Sequence, residues 1–390
     1  AASKTYDGND TASITAGAIS TGVGSETLAI AGTGSFSDKN AGNNKTVTVA
    51  DVNTLTKSND LATGGDWANY NLTTVGMTTQ ADIAKKDVTL SSITAASKTY
   101  DGNDTANINA GAISTGVGAE TLAIAGTGSF SDKNAGSNKT VTVTNVTSLT
   151  KSNVTATGGD WANYNLTTTG GMTTQADIAK KDVTLSSITA ASKTYDGNDT
   201  ASITAGAIST GVGAETLAIA GTGSFSDKNA GSNKTVTVTD VTSLTKSNVT
   251  ATGGDWANYN LTTTGAMTTQ ADIAKKDVTL SSITAASKTY DGNDIASITA
   301  GAISTGVGSE TLAIAGTGSF SDKNAGNNKT VTVADVSTLT KSNDLATGGD
   351  WANYNLTTVA MTTQADIAKK DVTLSSITAA SKTYDGNDTA

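Results

Sequence analysis

A tyrosine and two carboxylates recur at a fixed spacing in this chain, in the run KTYDGNDTA at residues 98–106. Tyr100, Asp101 and Asp104 are side chains that could do chemistry. Two carboxylates of different pKa can act as general acid and general base, and clustered carboxylate and amide oxygens can hold Ca²⁺. The motif SKTYDGND begins at Ser3, Ser97, Ser192, Ser287 and Ser381. Either chemistry would therefore be repeated along the chain.

The residues around the motif favour neither chemistry. Nothing nearby would separate the pKa values of Asp101 and Asp104, and the stretch does not have the ligand spacing of a calcium loop. The loop SDKNAGSN offers one carboxylate, Asp132, and is a weaker candidate for a metal. We therefore predict no catalytic, cofactor-binding or metal-binding residues, and a protein that is not an enzyme.

The motif is better explained as a tight turn. Asp-Gly is a strong turn signal, because glycine accepts a positive φ without a Cβ clash. Asn103 and Asp104 would then bond nearby backbone amides. Tyr100 would lay its ring on the core and send its hydroxyl group to a backbone partner or to water.

Composition excludes several classes of protein. The chain has no histidine, cysteine or proline, and all 25 basic residues are lysine. A Ser-His-Asp arrangement is therefore impossible, and there is neither a disulfide framework nor a thiolate metal site. The net charge of −10 is spread along the chain, without a basic stripe or a long apolar run. This predicts neither nucleic-acid binding nor membrane insertion.

Three further motifs have alternative interpretations. In GDWANYN, Trp161 and Tyr164 could form an exposed platform for sugars, but few other large core residues exist, so we favour a core role. Lys133 or Lys139 could form an isopeptide bond with an asparagine. The N-x-T pattern of asparagine glycosylation occurs at Asn44, Asn71, Asn138, Asn165, Asn233, Asn260, Asn328 and Asn355.

Internal repetition is the dominant signal in the sequence. Consecutive copies of the motif tyrosine are 94 or 95 residues apart, at Tyr6, Tyr100, Tyr195, Tyr290 and Tyr384. Cutting before each Lys-Lys pair predicts repeats at 1–84, 85–179, 180–274 and 275–368, followed by the start of a further repeat at 369–390. The segment KKDVTLSSIT opens repeats 2 to 4 and recurs at 369–378, but repeat 1 does not contain it.

Each repeat reads as a series of short strands. In repeat 2, apolar residues alternate at Val88 and Leu90, at Leu122 and Ile124, and at Val141 and Val143. Alternation with Thr, Val and Ile is typical of strands, and Gly-rich runs separate them. We predict an all-β chain: a tandem array of about 95-residue β-sandwich, Ig-like domains. A helix-poor β-grasp-like repeat is the alternative.

The joins between repeats contain no flexible linker. The run TTQADIAKKDVTL crosses each boundary without glycine, so the last strand of one repeat leads almost directly into the next. This predicts domains joined end to end as a rod. The segment that repeat 1 lacks and its spare copy at 369–378 are expected of a window from a longer array, and the alternative is that a terminal strand crosses to a neighbouring molecule, as in donor-strand complementation.

Four landmarks recur in order in every complete repeat: KTYDGNDTA, SFSDKNAGSNKTVTV, NYNLTT and ADIAKKDVTL, with minor substitutions. Together they resemble the YDG-type repeat of bacterial filamentous-haemagglutinin-like exoproteins. The resemblance implies a large exported protein at the bacterial cell surface, delivered through a dedicated outer-membrane partner. Its repeats would form a stalk or fibre, and the family supplies no catalytic residues to transfer.

Two function classes follow from this. The repeats could be spacers in an extracellular adhesin or biofilm fibre, with neighbouring repeats and other copies of the fibre as partners. Alternatively, each repeat could bind a glycan or protein weakly and gain strength by multivalency, through repeated loops such as STGVGAE. A filament completed by donor-strand exchange between subunits is a further alternative.

Overall fold

The fold of this chain is built from short strands joined by tight turns. The computed structural model describes residues 1–344 and 346–389. In this part of the chain the only helical elements are single 3₁₀ turns, at Val52–Thr54, Trp67–Asn69, Val146–Ser148, Thr155–Thr157, Trp161–Asn163, Val241–Ser243, Trp256–Asn258, Val336–Thr338 and Trp351–Asn353. The prediction of an all-β tandem array is confirmed, and the strands of each repeat form curled sheets.

The strands follow the repeats. Repeat 1 contains β1 (Lys4–Thr5), β2 (Thr11–Ser20), β3 (Thr27–Phe36), β4 (Gly42–Val49), β5 (Thr56–Asn59) and β6 (Met77–Ala84). Repeat 2 contains β7 (Lys86–Val88), β8 (Thr94–Ala95), β9 (Lys98–Thr99), β10 (Thr105–Asn109), β11 (Ile113–Ser114), β12 (Thr121–Phe130), β13 (Gly136–Val143), β14 (Thr150–Asn153), β15 (Tyr164–Leu166) and β16 (Met172–Ala179).

The other two repeats have the same order. Repeat 3 contains β17 (Lys181–Val183), β18 (Thr189–Ala190), β19 (Lys193–Thr194), β20 (Thr200–Ser209), β21 (Thr216–Phe225), β22 (Gly231–Val238), β23 (Thr245–Asn248), β24 (Tyr259–Leu261) and β25 (Met267–Ala274). Repeat 4 contains β26 (Lys276–Val278), β27 (Thr284–Ala285), β28 (Lys288–Thr289), β29 (Ile295–Ser304), β30 (Thr311–Phe320), β31 (Gly326–Val333), β32 (Thr340–Asn343), β33 (Tyr354–Leu356) and β34 (Met361–Ala368).

The chain divides into two compact units. One consists of Ala1–Asp182, Gly211–Ala214 and Asp255–Asn260, and the other of Val183–Thr210, Glu215–Gly254 and Leu261–Ala390. The first unit contains repeats 1 and 2 in full, and most of repeats 3 and 4 lies in the second. The contacts between repeats 1 and 2 can therefore be described within the first unit, and those between repeats 3 and 4 within the second.

Repeat 2 illustrates the main sheet. Its strand order is β8-β10-β12-β13-β16-β9. One edge of β12 pairs with β10, whereas the other edge is divided between β13, at Ser129 and Phe130, and β14, at Leu122–Ala125. Dividing one edge between two partners curls the sheet around the side chains on its inner face. Leu122, Ile124 and Val141 are fully buried there, as the alternation predicts.

The segment that opens repeat 2 lies beside a different strand. A single residue, Lys85, separates the end of β6 from β7, which runs parallel to β15 with Lys86 opposite Tyr164 and Val88 opposite Leu166. Val88, Leu90 and Ile93 are each at most 6% exposed. The segment KKDVTLSSIT is therefore a structural part of the repeat that it opens, and β26 pairs with β33 in the same way in repeat 4.

Candidate functional site

The KTYDGND motif folds as a turn organised by its own lysine. The Lys98 ammonium group donates to Asp101 Oδ1 at 2.8 Å and to Asn103 Oδ1 and the Asn103 carbonyl oxygen at 2.8 and 2.9 Å. The Asn103 and Thr105 amides donate in turn to Asp101 Oδ1 and Asn103 Oδ1. Gly102 has a φ of +83°. The predicted turn is present, but the hydrogen bonds that Lys98 donates within it were not predicted.

This arrangement places the Lys98 ammonium where the calcium hypothesis needed a metal ion. Three oxygen atoms converge on one site, and Lys98 Nζ contacts all three. Burial by itself raises the pKa of Asp101, but hydrogen bonds from Lys98 and from the Asn103 amide lower the pKa below its usual value. Among the described residues no cluster of three or more His, Cys, Asp or Glu side chains could hold a metal ion.

The motif tyrosine lies at the junction between one repeat and the next. In the first unit Tyr6 is 1% exposed, and its hydroxyl donates to Glu120 Oε1 of repeat 2 at 2.8 Å. The Tyr164 hydroxyl donates to Glu120 Oε2 at 2.6 Å, so one carboxylate accepts from two tyrosines. The two rings meet edge to face, with centroids 5.3 Å apart. The prediction that the hydroxyl group of the motif tyrosine bonds to the backbone or to water is therefore wrong for Tyr6.

The same junction recurs along the chain. In the second unit Tyr195 and Tyr354 donate to the two carboxylate oxygens of Glu310 at 2.9 and 2.5 Å. Their rings are 5.4 Å apart and again nearly perpendicular. Within the first unit, Tyr100 meets Tyr259 in the same edge-to-face geometry. We call this cluster, a motif tyrosine with the glutamate and tyrosine of the following repeat, the tyrosine junction.

Sequence reasoning missed the glutamate. Each repeat contains a single glutamate, Glu26, Glu120, Glu215 or Glu310, among many aspartates. The occurrence of glutamate only once in each repeat was the sequence signal that could have indicated a specific role for it. The longer glutamate side chain reaches both tyrosine hydroxyls from a buried position.

A second contact closes the junction beside the tyrosines. Asn163 is 2% exposed; its Oδ1 accepts from the Ala41 amide at 2.8 Å, and its Nδ2 donates to Asn40 Oδ1. Lys39 Nζ lies 3.8 Å from Glu120 Oε1. The SDKNAG loop, considered above as a weak metal candidate, thus contacts the WAN turn of the following repeat. Asn353 makes the same contacts with Ala230 and Asn229 in the second unit.

The loop STGVGAE also belongs to the junction. Thr115, Val117 and Glu120 are all buried. A Cβ atom on Gly8 would lie 2.7 Å from Val117 Cγ1, closer than real Cβ contacts come, so the motif glycine allows the two repeats to approach. Three side chains of this loop are therefore engaged in the contact between repeats, while Ser114, Gly116, Gly118 and Ala119 are exposed.

The electrostatics of the junction keep the tyrosines neutral. Burial, followed by the hydrogen bond to Glu120, raises the pKa of Tyr164 to about 12. The same two causes raise the pKa of Tyr6 further. A phenolate beside a carboxylate in a buried site would be strongly disfavoured. The arrangement therefore suits stable hydrogen bonding between repeats.

The other sequence candidates also have structural explanations. Trp161 is 9% exposed, and its Nε1 donates to the Ala123 carbonyl oxygen at 3.1 Å. Asp160 fixes the turn before it by accepting from the Ala162 amide. The core role predicted for Trp161 is confirmed, and an exposed sugar platform at this residue is excluded. Lys139 pairs with Asp132 at 2.7 Å, not with an asparagine.

The potential glycosylation sites fall into two groups. Asn138 is exposed and lies in a β-bulge with a φ of +53°. Its backbone amide, not its side chain, donates to Asp177 Oδ1. Asn165 is also exposed, but its Nδ2 donates to Asp87 Oδ1 at 2.9 Å. In repeat 2 the NKT site therefore presents a more accessible side-chain amide than the NLT site.

Comparison with known protein families matches four consecutive stretches of the chain, residues 1–79, 84–171, 179–266 and 274–363, to the YDG domain. Curated proteins and solved structures gave no match. In the described part of the chain no helix is long and apolar enough to cross a membrane. The four matches cover most of the chain and include the tyrosine, aspartate and glycine of each junction turn. The chain therefore belongs to the YDG domain family and carries that domain four times in tandem.

Proposed function

We propose that this chain is a structural segment, a stalk or fibre, of a large exported bacterial adhesin at the cell surface. The observation that carries the proposal is the buried tyrosine junction, in which Tyr6 and Tyr164 donate to opposite oxygens of Glu120. The most characteristic residues of the family motif are engaged in holding repeats together. The resemblance to repeats of haemagglutinin-like exoproteins supports the extracellular location.

The chemistry of the junction suits a structural role. Separating the two repeats would expose the buried rings of Tyr6 and Tyr164 and leave Glu120 without two donors. Hydrogen bonds to a charged group contribute about 1.5–3 kcal/mol each, more than those between neutral groups. In a linear array of repeats, stability is the sum of the repeats and of their nearest-neighbour interfaces. Because the hydrogen bonds of the junction are directional and shielded from water, each repeat stabilises the next one.

The alternative of ligand-binding repeats has weaker support. Trp161 is in the core, and the STGVGAE loop contributes to the junction. Spacer repeats need only neighbouring repeats as partners, with affinity located elsewhere in the adhesin. We therefore prefer a spacer function to one of multivalent glycan or protein binding, and to one of catalysis.

Force spectroscopy on residues 1–390, tethered at both ends, tests the mechanical part of the proposal. We expect a separate unfolding event for each repeat, each releasing roughly 300 Å of chain, at about 3.4 Å per residue. Glu120→Gln should lower the force of the events in repeats 1 and 2, while Glu310→Gln should affect repeats 3 and 4. Extension without distinct resistance would contradict a structural role.

Two further measurements test the location and the spacer function. Antibodies against the array should label intact cells of the organism that makes the protein. The purified chain should bind no glycan on a broad array at micromolar concentration. Saturable glycan binding by the folded chain would favour the multivalent alternative over the spacer.

A further inference from the structure

The SKTYDGND motif is joined to the last strand of its own repeat by a parallel pairing. In repeat 2, β9 runs parallel to the end of β16, with Lys98 opposite Ile178 and Thr99 opposite Ala179. The other pairings of this sheet are antiparallel. The same parallel pairing joins β1 to β6, β19 to β25, and β28 to β34. It is therefore a constant feature of the repeat.

Two further hydrogen bonds extend this parallel pair at its ends. At one end the Tyr100 amide donates to the Ala179 carbonyl oxygen at 2.8 Å. At the other end the Asp177 amide donates to Ser97 Oγ at 3.0 Å. The same bond to the motif serine recurs at 3.0 Å in the other repeats, where the acceptors are Ser3, Ser192 and Ser287. We call the parallel pair with its two end bonds the terminal clamp.

A second parallel pair lies nearer to the point where the chain enters the repeat. β7 runs parallel to β15, and just beyond it the Leu90 amide donates to Thr168 Oγ1 at 2.8 Å. Residues 167–171 connect β15 to β16. In repeat 2, both parallel pairs thus join a strand from the start of the repeat to a strand near its end.

The direction of these strands decides how they resist tension. A repeat in an array that is pulled along its chain is stretched through its first and last residues, so β9 is drawn toward its N-terminus and β16 toward its C-terminus. In parallel neighbours these pulls are opposed along the strand axes, and the hydrogen bonds, which lie across the strands, are loaded together. In an antiparallel pair the two pulled ends would lie side by side, and the bonds would open one at a time.

The join between repeats 1 and 2 transmits tension to the clamp with little slack. Only Lys85 separates the end of β6 from β7. The Tyr6 amide donates to the carbonyl oxygen of Ala84, the last residue of β6, at 2.8 Å, while the Tyr6 hydroxyl donates to Glu120 of repeat 2. One residue therefore holds the end of its own repeat through its backbone and the next repeat through its side chain.

We propose that the terminal clamp is the element of each repeat that resists tension along the chain. The motif thus has a second task beside the tyrosine junction, and its serine takes part in this task alone. The inference rests on the proposed stalk function, because a stalk that links two surfaces is pulled along its length. Forced unfolding is governed by the rate of unfolding, so bonds that must break first set the resistance.

Pulling repeat 2 in two directions tests the clamp, and the chain has no cysteine of its own to interfere. In the full chain, handles on Ala96→Cys and Lys180→Cys load the clamp along its strands, whereas handles on Ala96→Cys and Gln175→Cys open it from one end. All three residues are exposed, so both variants should keep the wild-type fold. At equal force the lifetime should be roughly tenfold longer along the strands, because several hydrogen bonds must then break together.

Removing the serine acceptors provides a second test, with the full chain pulled at its ends. The combined variant Ser3→Ala, Ser97→Ala, Ser192→Ala and Ser287→Ala should shorten the lifetime of each repeat under constant force by roughly threefold to tenfold. The matched control removes hydroxyls that donate to a carbonyl within a 3₁₀ turn, away from the clamp, in the variant Thr54→Ala, Ser148→Ala, Ser243→Ala and Thr338→Ala. Its lifetimes should stay within about twofold of the wild type.

Two results would overturn the clamp: equal lifetimes in the two pulling directions, or unchanged lifetimes in a serine variant that keeps the circular dichroism of the wild type. Either result would leave distinct unfolding events in place, so the stalk proposal would stand. Absence of the protein from the cell surface would contradict the stalk proposal and leave the two force measurements unaffected. The clamp and the stalk can therefore fail separately.

Discussion

At the scale of single residues, the glycine of the motif has two separate tasks. Gly197 has a φ of +83°, and a Cβ atom there would lie 2.7 Å from Val307 Cγ1 of the next repeat. Gly292 has a φ of +87°, but nothing lies within 4 Å of its Cβ position. Both positions therefore need a residue that tolerates positive φ, but only Gly197 must also lack a Cβ atom so that the next repeat can pack against it.

We predict that Gly197→Ala destabilises the chain more than Gly292→Ala does. Both substitutions place a Cβ atom at positive φ, which costs about 1–2 kcal/mol. Only Gly197→Ala adds a clash at the junction, which costs about 1–3 kcal/mol more if the neighbour cannot move. Hydrogen exchange of the Ala230 amide, which donates to Asn353, should speed up in Gly197→Ala and stay slow in Gly292→Ala. Equal exchange rates of the Ala230 amide in both variants would show that the Val307 side chain moves aside without a loss of stability.

The lysine of the motif makes a second prediction at this scale, on calcium. Lys193 donates to Asp196 Oδ1 and to two oxygens of Asn198, whereas Asp199 accepts from the Phe225 amide through its backbone carbonyl. Lys193→Met should therefore lower the melting temperature, because it removes the donor of three hydrogen bonds. Asp199→Asn should change the melting temperature little, because the backbone bond remains.

Neither calcium nor a chelator should alter the melting temperature of the wild type. The Lys193 ammonium already occupies the convergent oxygens. A calcium-dependent rise in the wild type that Asp199→Asn abolishes would instead restore the calcium hypothesis.

At the scale of elements, one asparagine shapes the strand that carries the SDKN loop. Asn233 has a φ of +51° at the β-bulge of β22, and its amide donates to Asp272 Oδ1 at 2.7 Å. The bulge shifts the pairing between Gly231 and Lys234 against β25. It thereby sets how the loop leaves the sheet toward the next repeat.

We predict that Asn233→Ala costs about 1 kcal/mol, because alanine tolerates positive φ less well than asparagine. Asn233→Gly should be nearly neutral, since glycine adopts this conformation freely. Asp272→Ala should remove the acceptor and cost a similar amount to Asn233→Ala. Urea denaturation of the full chain measures all three. A stable Asn233→Ala variant would mean that the bulge relaxes into regular pairing.

At the scale of the whole molecule, the tyrosine junctions predict a loss of stability at high pH. The pKa of Tyr164 is raised to about 12, and that of Tyr6 is raised as well, both through burial and the bond to Glu120. An unfolded tyrosine ionises near pH 10. Because the folded pKa is the higher one, the junctions contribute their full stability below pH 10. This contribution falls as the pH rises toward 12 and beyond.

Absorbance of the phenolate and denaturation in parallel between pH 8 and 12 check this expectation. The junction tyrosines should ionise later in the native chain than in urea, and the free energy of unfolding should fall above pH 10. Tyr164→Phe and Tyr354→Phe should each reduce the steepness of that fall. Ionisation of all tyrosines near pH 10 in the native chain would contradict the buried junction.

Much of this protein followed from its sequence alone. The repeat length, the alternation in runs such as ETLAIAGTGSF and the Asp-Gly turn are local or periodic signals, and each of them predicted the structure found. The lack of histidine and cysteine limited the available chemistry in the same direct way. These features depend on near neighbours along the chain, which a sequence displays.

Only the tertiary structure decided what the motif tyrosine does. Tyr6 and Glu120 are 114 residues apart, further than one repeat. Because the repeats are nearly identical, a glutamate in the same repeat and one in the next are equivalent in the sequence. Periodicity reveals that a contact recurs but not whether it stays within a repeat or crosses to the next. Which side of the boundary a side chain faces is settled when the strands curl and the repeats dock.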